Sequence, residues 1–503
     1  MIEGQYNIFD MLYPKFKIDK PIKTIELFGG YGSQLLSLKY INANVEQHKL
    51  CEWAVKSIQA YKDIHFADDN TDYSKGIEIG QIKEFLFNKG ISQNYNEPMS
   101  KSQIQRLSEK QARTIYNNIK ATHNLVNIQQ VKGEDLWIKD TDKFTYLLTY
   151  SFPCQDLSPS GKRKGMSDTS TRSGMLWEVE RILTECKEIN QLPQVLLMEN
   201  VPQVKTNDPL AWEKWLSRLE ELGYRNYHQD LIATDYGIPQ TRNRTFMVSL
   251  LGDYSYNFPK PIPLEIKLKD LLEENVDEKY FLSDKMIKYL TDSVSSGGID
   301  RGESFNRIQQ KIEREGIAAT ITTNAGNRAG DNYIKVKNNT KKGYLEAYDG
   351  DGIDISGRME YHRGTVQREK AQTLTTQAGG VVVETLKKDL CNKLVRDGLV
   401  EEGDVVKHSF TQQILNGNKK CVEKNDGKMI TLTTRGDCVG TTVKDENGLR
   451  IRKLTPRECF RLMAVKDEDF EKCAKNQSDS SLYHLAGDSI VCSVLCHIFK
   501  EMI

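Results

Sequence analysis

A short β-type run, Thr24–Phe28, empties into Phe28-Gly29-Gly30-Tyr31-Gly32 and then into a helical stretch, Gln34–Tyr40. No other feature limits the fold as much. A strand that bends straight into a helix needs residues without Cβ at the bend, so that the backbone can turn tightly and approach a ligand. A second strand, Gln47–Trp53, and a second helix, Ala54–Tyr61, follow. This βαβ rhythm predicts an α/β fold with a doubly wound, Rossmann-like parallel sheet. A glycine turn by itself is often only a turn. Glu52 adds to it, because it ends the second strand 20 residues past Gly32, where a carboxylate can grip ribose hydroxyls. Trp53 beside it can stack on an adenine ring. The spacing leaves open whether the ligand is a dinucleotide or S-adenosylmethionine.

Three later strands also run into polar or reactive residues, which is where open α/β sheets place their sites. Tyr146–Tyr150 leads into Ser151-Phe152-Pro153-Cys154-Gln155, and Gln194–Met198 into Glu199-Asn200-Val201-Pro202. Arg244–Leu251 is preceded by Gln240-Thr241-Arg242-Asn243. Most cysteines are inert and buried, whereas a reactive thiolate needs a polar, partly open setting, and a loop after a strand provides one. Glu199 could protonate or hold a heterocyclic nitrogen. Arg242 and Arg244, two apart on a strand, would share a face and suit phosphate oxygens or base carbonyls.

The interval from Glu26 to Cys154 is 128 residues, against about 65 for three ordinary βα units. The surplus lies in a polar stretch, about 65–130, read as a surface insertion. Within it Ile104, Leu107, Ile115 and Ile119 suggest one amphipathic helix. After Phe258-Pro259-Lys260-Pro261-Ile262-Pro263 the composition turns to Gly, Thr and Asn, with a near-repeat: Thr320–Thr323, Thr373–Thr376 and Thr431–Thr434. Alternating Thr and apolar residues suit half-buried strands. The expected organisation is therefore a first domain over 21–265, a smaller β-rich domain over 266–450 and a helical C-terminal segment over 451–503.

Charge excludes little. Lys and Arg total 70, as do Asp and Glu, so a basic face would have to be local. Ten cysteines form no CxxC pair, so neither a metal site nor a disulfide framework is expected. Cys492, Cys496 and His497 read as part of an apolar helix. No run of about 18 apolar residues suggests a membrane span, and Met1–Lys20 lacks a secretory pattern, so a cytoplasmic protein is expected. Thr455, Pro456 and Glu458 read as a capping box opening a helix.

Taken together, the motifs resemble those of the cytosine-5 DNA methyltransferases of bacterial or phage type. Eight stand in the family's order: Phe28-x-Gly30-x-Gly32, Glu52-Trp53, Pro153-Cys154-Gln155, Arg172-Ser173-Gly174-x-Leu176-Trp177-Glu178, Glu199-Asn200-Val201, Gln240-x-Arg242-x-Arg244, Arg452-x-Leu454-Thr455-Pro456-Arg457-Glu458 and Gly487-Asp488-Ser489-Ile490. The resemblance implies S-adenosylmethionine as cofactor, double-stranded DNA as substrate, no metal and a monomer. It implies that a cytosine is flipped out of the duplex, that Cys154 adds to its carbon 6, and that carbon 5 takes the methyl group before the enzyme is eliminated. In this scheme Glu199 holds the base's nitrogen edge, Arg244 its carbonyl, and Arg242 lies near the phosphates. Phe28, Gly30, Gly32, Glu52, Trp53 and Ser489 hold the cofactor. Asp135 takes the adenine amino group, with Glu134 the competing candidate. Gly487–Ser489 would fold back beside the glycine turn. The Thr-rich region occupies the place of a target-recognition domain, with Gln155, Thr323, Thr376 and Thr434 as DNA contacts, or with a plain sheet as the alternative. Ser33 and Asp488 depart from the family pattern, where glycine and asparagine are usual. A restriction-modification or DNA-protection role would fit, with or without a partner endonuclease. The rival readings are a cytosine-5 methyltransferase of tRNA and a catalytically inactive DNA-binding homologue.

Overall fold

Strands whose residues are apolar on both faces are buried on both faces, and two such runs set the middle of the sheet. In the computed structural model, β3 (Thr145–Tyr150) and β4 (Val195–Asn200) are buried along their whole length. The structure describes residues 13–153, 173–281 and 449–503, with short strands and turns between 334 and 442. β1 (Ile22–Leu27) and β2 (Val45–Cys51) complete a parallel block. The sheet order is β2-β1-β3-β4-β6-β5. β5 (Tyr224–Ile232) and β6 (Asn243–Leu251) form a hairpin-like pair that joins antiparallel to β4, so the sheet is mixed where the βαβ rhythm alone predicts a parallel one.

Helices cover both faces. On one side α1 (Ser33–Tyr40) follows the glycine turn, and α2 (Val55–His65) follows β2. The 65–130 stretch is more than a surface decoration. It forms α3 (Ile79–Lys89), α4 (Lys101–Arg106) and α5 (Glu109–Ala121). These helices enclose a core of their own, including Ile82, Leu86, Ile91, Ile104, Ile115 and Ile119, packed on Ile58 of α2. The single helix expected over 104–119 is two helices, because Leu107 lies between them. Each has a complete capping box, Ser100 with Gln103 and Ser108 with Gln111, and the second box starts a new helix where apolar spacing alone would continue the old one.

The other face carries α6 (Leu176–Glu188) and α7 (Pro209–Leu222). Val179, Leu183, Trp215 and Leu219 bury there with Leu148, Leu196 and Met198 of the sheet. The C-terminal segment adds α8 (Pro456–Leu462), α9 (Asp467–Ala474), α10 (Asp479–Asp488) and α11 (Cys492–Lys500). Asp479–Lys500 is apolar and long enough to cross a membrane, but it breaks at Ser489 and 67% of its most apolar window is buried in the protein. Cys492 Sγ and Cys496 Sγ donate to the carbonyls of Ser33 and Ser37, which packs α11 on α1 and leaves them no ligand arrangement. Among the described residues no cluster of His, Cys, Asp and Glu could hold a metal.

The chain divides into two compact units. Residues up to Lys267 and from Pro456–Ile503 belong to the first; the second draws on Leu268–Gln372 and Gly380–Thr455. The described part of the second unit is β-rich. Its strands include β7 (Ile334–Lys337), β8 (Tyr344–Ala347), β9 (Gly352–Ile353), β10 (Val366–Gln367), β11 (Val381–Thr385), β12 (Val405–Lys407), β13 (Val422–Glu423), β14 (Gly440–Thr442) and β15 (Leu449–Lys453). They form antiparallel sheets in the orders β10-β9-β11-β15, β13-β12-β14 and β7-β8. The helical segment therefore starts later than residue 451: Leu449-Arg450-Ile451-Arg452-Lys453 alternates with period two and pairs with β11. Pro456 opens α8, as the Thr-Pro-x-Glu pattern predicts, but the Thr455 hydroxyl donates to Glu273.

Candidate active site

Because β1, β2, β3 and β4 are parallel, their C-terminal ends share one edge of the sheet, and the antiparallel β6 begins there. This edge gathers Phe28, Glu52, Ser151, Glu199 and Arg244.

At the β1–β2 end the glycine turn wraps over its neighbour. The Phe28 N–H donates to the Cys51 carbonyl (2.8 Å) and the Gly30 N–H to Glu52 Oε2 (3.0 Å). Phe28, Gly30 and Gly32 all have positive φ, at 57°, 55° and 82°. A Cβ on Gly32 would lie 2.4 Å from His65 Nε2, whereas one on Gly30 would meet nothing within 4 Å. Gly32 is thus required by packing, and Gly30 faces open space. The Glu52 Oε1 accepts from the Ala54 N–H at 2.7 Å. Burial pushes the Glu52 carboxyl up to about 7; the Ala54 and Gly30 N–H groups pull it down, and the Asp488 charge adds to the rise. Each Glu52 oxygen retains acceptor capacity, so the open ground beside Gly30 and this carboxylate fit the sugar of a nucleoside. Trp53 is half-buried and packs against the core of the helical insertion.

The C-terminal segment returns to this turn. The Tyr31 hydroxyl, buried and stacked on Phe460, donates to Ser489 Oγ (2.9 Å). Ser33, where the family usually has glycine, accepts from the Ile490 N–H through its hydroxyl.

Two of the expected site residues have partners that the sequence did not suggest. Arg242 is 5% exposed and donates to the carbonyls of Gly487 (3.2 Å) and Ser489 (2.7 Å), which ties it to the Ser489 turn. It precedes β6, and the two arginines diverge. Asp135 is exposed and its carboxylate closes a turn on the Lys132 N–H. The residue beside Glu52 is Asn124, which sequence reasoning passed over. Its amide accepts from the Glu52 N–H (3.0 Å) and donates to the Glu52 carbonyl (2.9 Å). The available signal was Asn124-Leu125-Val126-Asn127, a short apolar run after α5 that bridges to Leu50.

At the β3–β4 end Glu199 is 5% exposed. Its Oε2 accepts from the Ser151 hydroxyl at 2.5 Å, and its Oε1 lies 3.2 Å from Arg244 Nε. Oε1 accepts no hydrogen bond of ordinary geometry among the described residues, so it is left to pair with the nitrogen edge of a base. Asn200 Nδ2 donates to the Phe152 carbonyl (3.0 Å), which pins the loop two residues before Cys154. Cys154, Gln155, Arg172, Thr323, Thr376 and Thr434 lie outside the described residues. Ser151 and Gln240 were also missed. Gln240 is fully buried and donates to the Leu462 carbonyl (2.8 Å).

The family described as C-5 cytosine-specific DNA methylase matches residues 87–503. An orphan methyltransferase, M.SssI, from Spiroplasma monobiae is 34% identical over 328 residues, covering 63% of this chain and 82% of its own. A type II methyltransferase, M2.ScrFI, from Lactococcus lactis subsp. cremoris is 28% identical over 488 residues, covering 96% and 99%. Among solved structures, the Entamoeba histolytica methyltransferase EhMeth aligns over 96% of this chain and 98% of its own, with 14% identity and a TM-score of 0.47. The chain belongs to the C-5 cytosine-specific DNA methylase family.

Proposed function

We propose that the protein is a sequence-specific DNA methyltransferase that methylates cytosine at carbon 5, with S-adenosylmethionine as methyl donor and Cys154 as nucleophile. The observation that carries the reading is the shared sheet edge, which presents the Gly30–Glu52 ground and the Ser151–Glu199–Arg244 cluster on one side of one unit. When bound, S-adenosylmethionine supplies an electrophilic methyl group. Glu52 and Gly30 would hold its nucleoside, and Ser489, fixed by Tyr31 and Arg242, its far end. Carbon 5 of cytosine is a weak nucleophile; addition of the Cys154 thiolate at carbon 6 makes the ring an enamine that attacks through carbon 5. Glu199 would hold the ring nitrogen and supply a proton as the adduct forms, with Ser151 and Arg244 fixing its orientation. A base, water in the simplest case, would then take the carbon-5 proton, so that the carbon 5–carbon 6 double bond re-forms as the bond to Cys154 sulfur breaks. The target base would be flipped from double-stranded DNA, with the β-rich unit reading sequence and Gln155, Thr323, Thr376 and Thr434 as proposed contacts. The same reading makes the protein a cytoplasmic monomer serving DNA protection or restriction-modification.

Bisulfite sequencing of DNA from cells making the protein, beside a Cys154→Ala control, tests this. Methylcytosine in one short sequence context, absent from the control, is the expected result. Its absence from both, with soluble protein that binds S-adenosylmethionine, would defeat the reading.

Glu52 adds a pH dependence. Ribose hydroxyls donate to a carboxylate, so the bound state favours the ionised form. The free group titrates at about 7. Affinity should therefore be full above pH 7 and fall below it, about tenfold between pH 8 and pH 6. Titration of S-adenosylhomocysteine by Trp fluorescence at the two pH values checks this, and Glu52→Gln should abolish the difference. Equal affinities for the unsubstituted protein would rule Glu52 out as the sugar ligand.

A further inference from the structure

Besides Asn124, the helical insertion brings a loop, 92–98, to the candidate cofactor ground. The Met99 N–H donates to the Ile91 carbonyl (2.8 Å) and closes it. Inside, Asn94 Oδ1 accepts from the N–H groups of Asn96 (2.9 Å) and Glu97 (3.2 Å), and the Ser92 hydroxyl donates to the Glu97 carbonyl (2.7 Å). The loop is aligned on the residues that follow Glu52: the Ser92 N–H donates to the Trp53 carbonyl (2.8 Å) and the Ser92 carbonyl accepts from Val55 (2.9 Å). Its tip is Tyr95, a non-glycine residue at φ 62°. Such a conformation persists only where the surroundings over-determine it.

What fixes Tyr95 is the other end of the chain. Its ring centroid lies 3.8 Å from that of His484 on α10, tilted by 44°. His484 Nε2 in turn lies 3.1 Å from Asp488 Oδ2, the last residue of α10 and the neighbour of Ser489. Ser489 is the residue that Tyr31 and Arg242 hold against the glycine turn. The end of β2, the insertion and the C-terminal segment, far apart in sequence, therefore meet at one ring pair.

Resting on the reading that this ground binds S-adenosylmethionine, we propose that Tyr95 is a positioning residue for the cofactor. The Tyr95–His484 ring pair latches the insertion to the α10–Ser489 turn and fixes the Glu52 side of the site relative to the Ser489 side. The insertion is then a working wall of the site. The ring makes the latch: the Tyr95 hydroxyl, buried near Ser57 and Ser481, makes no hydrogen bond of ordinary geometry among the described residues.

Isothermal titration of the full-length protein with S-adenosylhomocysteine tests this, with DNA affinity measured in parallel. Tyr95→Ala should weaken cofactor binding about tenfold, the upper range for one aromatic contact, and leave DNA affinity unchanged. Tyr95→Phe should bind as the unsubstituted protein does. His484→Ala, which removes the other half of the ring pair, should match Tyr95→Ala and serves in its place if that variant does not fold. The double variant should be no weaker than either single, since both remove one contact. Unchanged affinity in Tyr95→Ala or His484→Ala, additive losses in the double variant, or a Tyr95→Phe as weak as Tyr95→Ala would overturn the latch. Failure of the unsubstituted protein to bind S-adenosylhomocysteine would overturn the cofactor reading and the latch together, which separates the two failures.

Discussion

Glu199→Gln is expected to lower the rate of methyl transfer about 10²–10⁴-fold, the range of a positioned general acid–base group, while DNA affinity stays within a few-fold. The substitution keeps size and shape but removes the ability to give up a proton. Ser151 can still donate to the remaining carbonyl oxygen, so the side chain stays roughly in place. Arg244 loses its charge partner at 3.2 Å but retains the Asn243 carbonyl at 2.8 Å and keeps some contact with water, its side chain being 17% exposed. The fold should therefore survive, and the loss should fall on the chemical step. Single-turnover methylation at saturating DNA, with a gel-shift measurement of binding, separates the two. A loss smaller than about fivefold would remove Glu199 from the role proposed for it. A parallel collapse of DNA binding would make it a binding residue instead.

How much of this was legible in the sequence depended on the distance over which each signal acts. β3 and β4 declare themselves because burial on both faces demands unbroken apolar runs, and Glu199 stands at the end of one of them. The glycine turn is legible because left-handed backbone at Gly32 excludes other residues. β5 gave no such signal: Arg225, Asn226, His228, Gln229 and Asp230 make it a half-exposed edge strand without an apolar run. The insertion was misread for a local reason. Apolar spacing runs through Leu107, and the two Ser-x-x-Gln boxes that interrupt it carry the true boundary. The partners of Gln240 and Arg242 were illegible for the opposite reason. Leu462, Gly487 and Ser489 lie more than 200 residues along the chain, and nothing in Gln240-Thr241-Arg242 distinguishes a tether from a phosphate contact. Asn124 was passed over because its task, holding the backbone of Glu52, is a matter of sheet geometry and leaves no charge or spacing signature.

The two glycines should fail in opposite ways. Gly32→Ala places a methyl 2.4 Å from His65 Nε2 and 2.6 Å from the Tyr61 ring, at φ 82°. Neither neighbour can move freely: His65 Nε2 is 3.0 Å from the Tyr31 carbonyl, and the Tyr61 hydroxyl is bound to the buried Glu26, whose other oxygen accepts from Leu35 at the start of α1. Left-handed strain of about 1–2 kcal/mol and overpacking of about 1–3 kcal/mol together give a loss of about 2–5 kcal/mol. That should appear as a melting temperature lower by about 5–15 °C. Gly30→Ala, at φ 55° with nothing within 4 Å, carries only the backbone strain, so its melting temperature should fall by no more than a few degrees. Its methyl group, however, enters the ground beside Glu52, and S-adenosylhomocysteine affinity should drop at least about tenfold, the equivalent of about 1.4 kcal/mol. Thermal melts and titrations of both variants give four numbers. Stability lost at Gly32 and affinity lost at Gly30 would mark the first as a packing glycine and the second as a ligand-facing one. Unchanged affinity in Gly30→Ala would mean that the open side of the turn is not where the cofactor lies, whatever Glu52 binds.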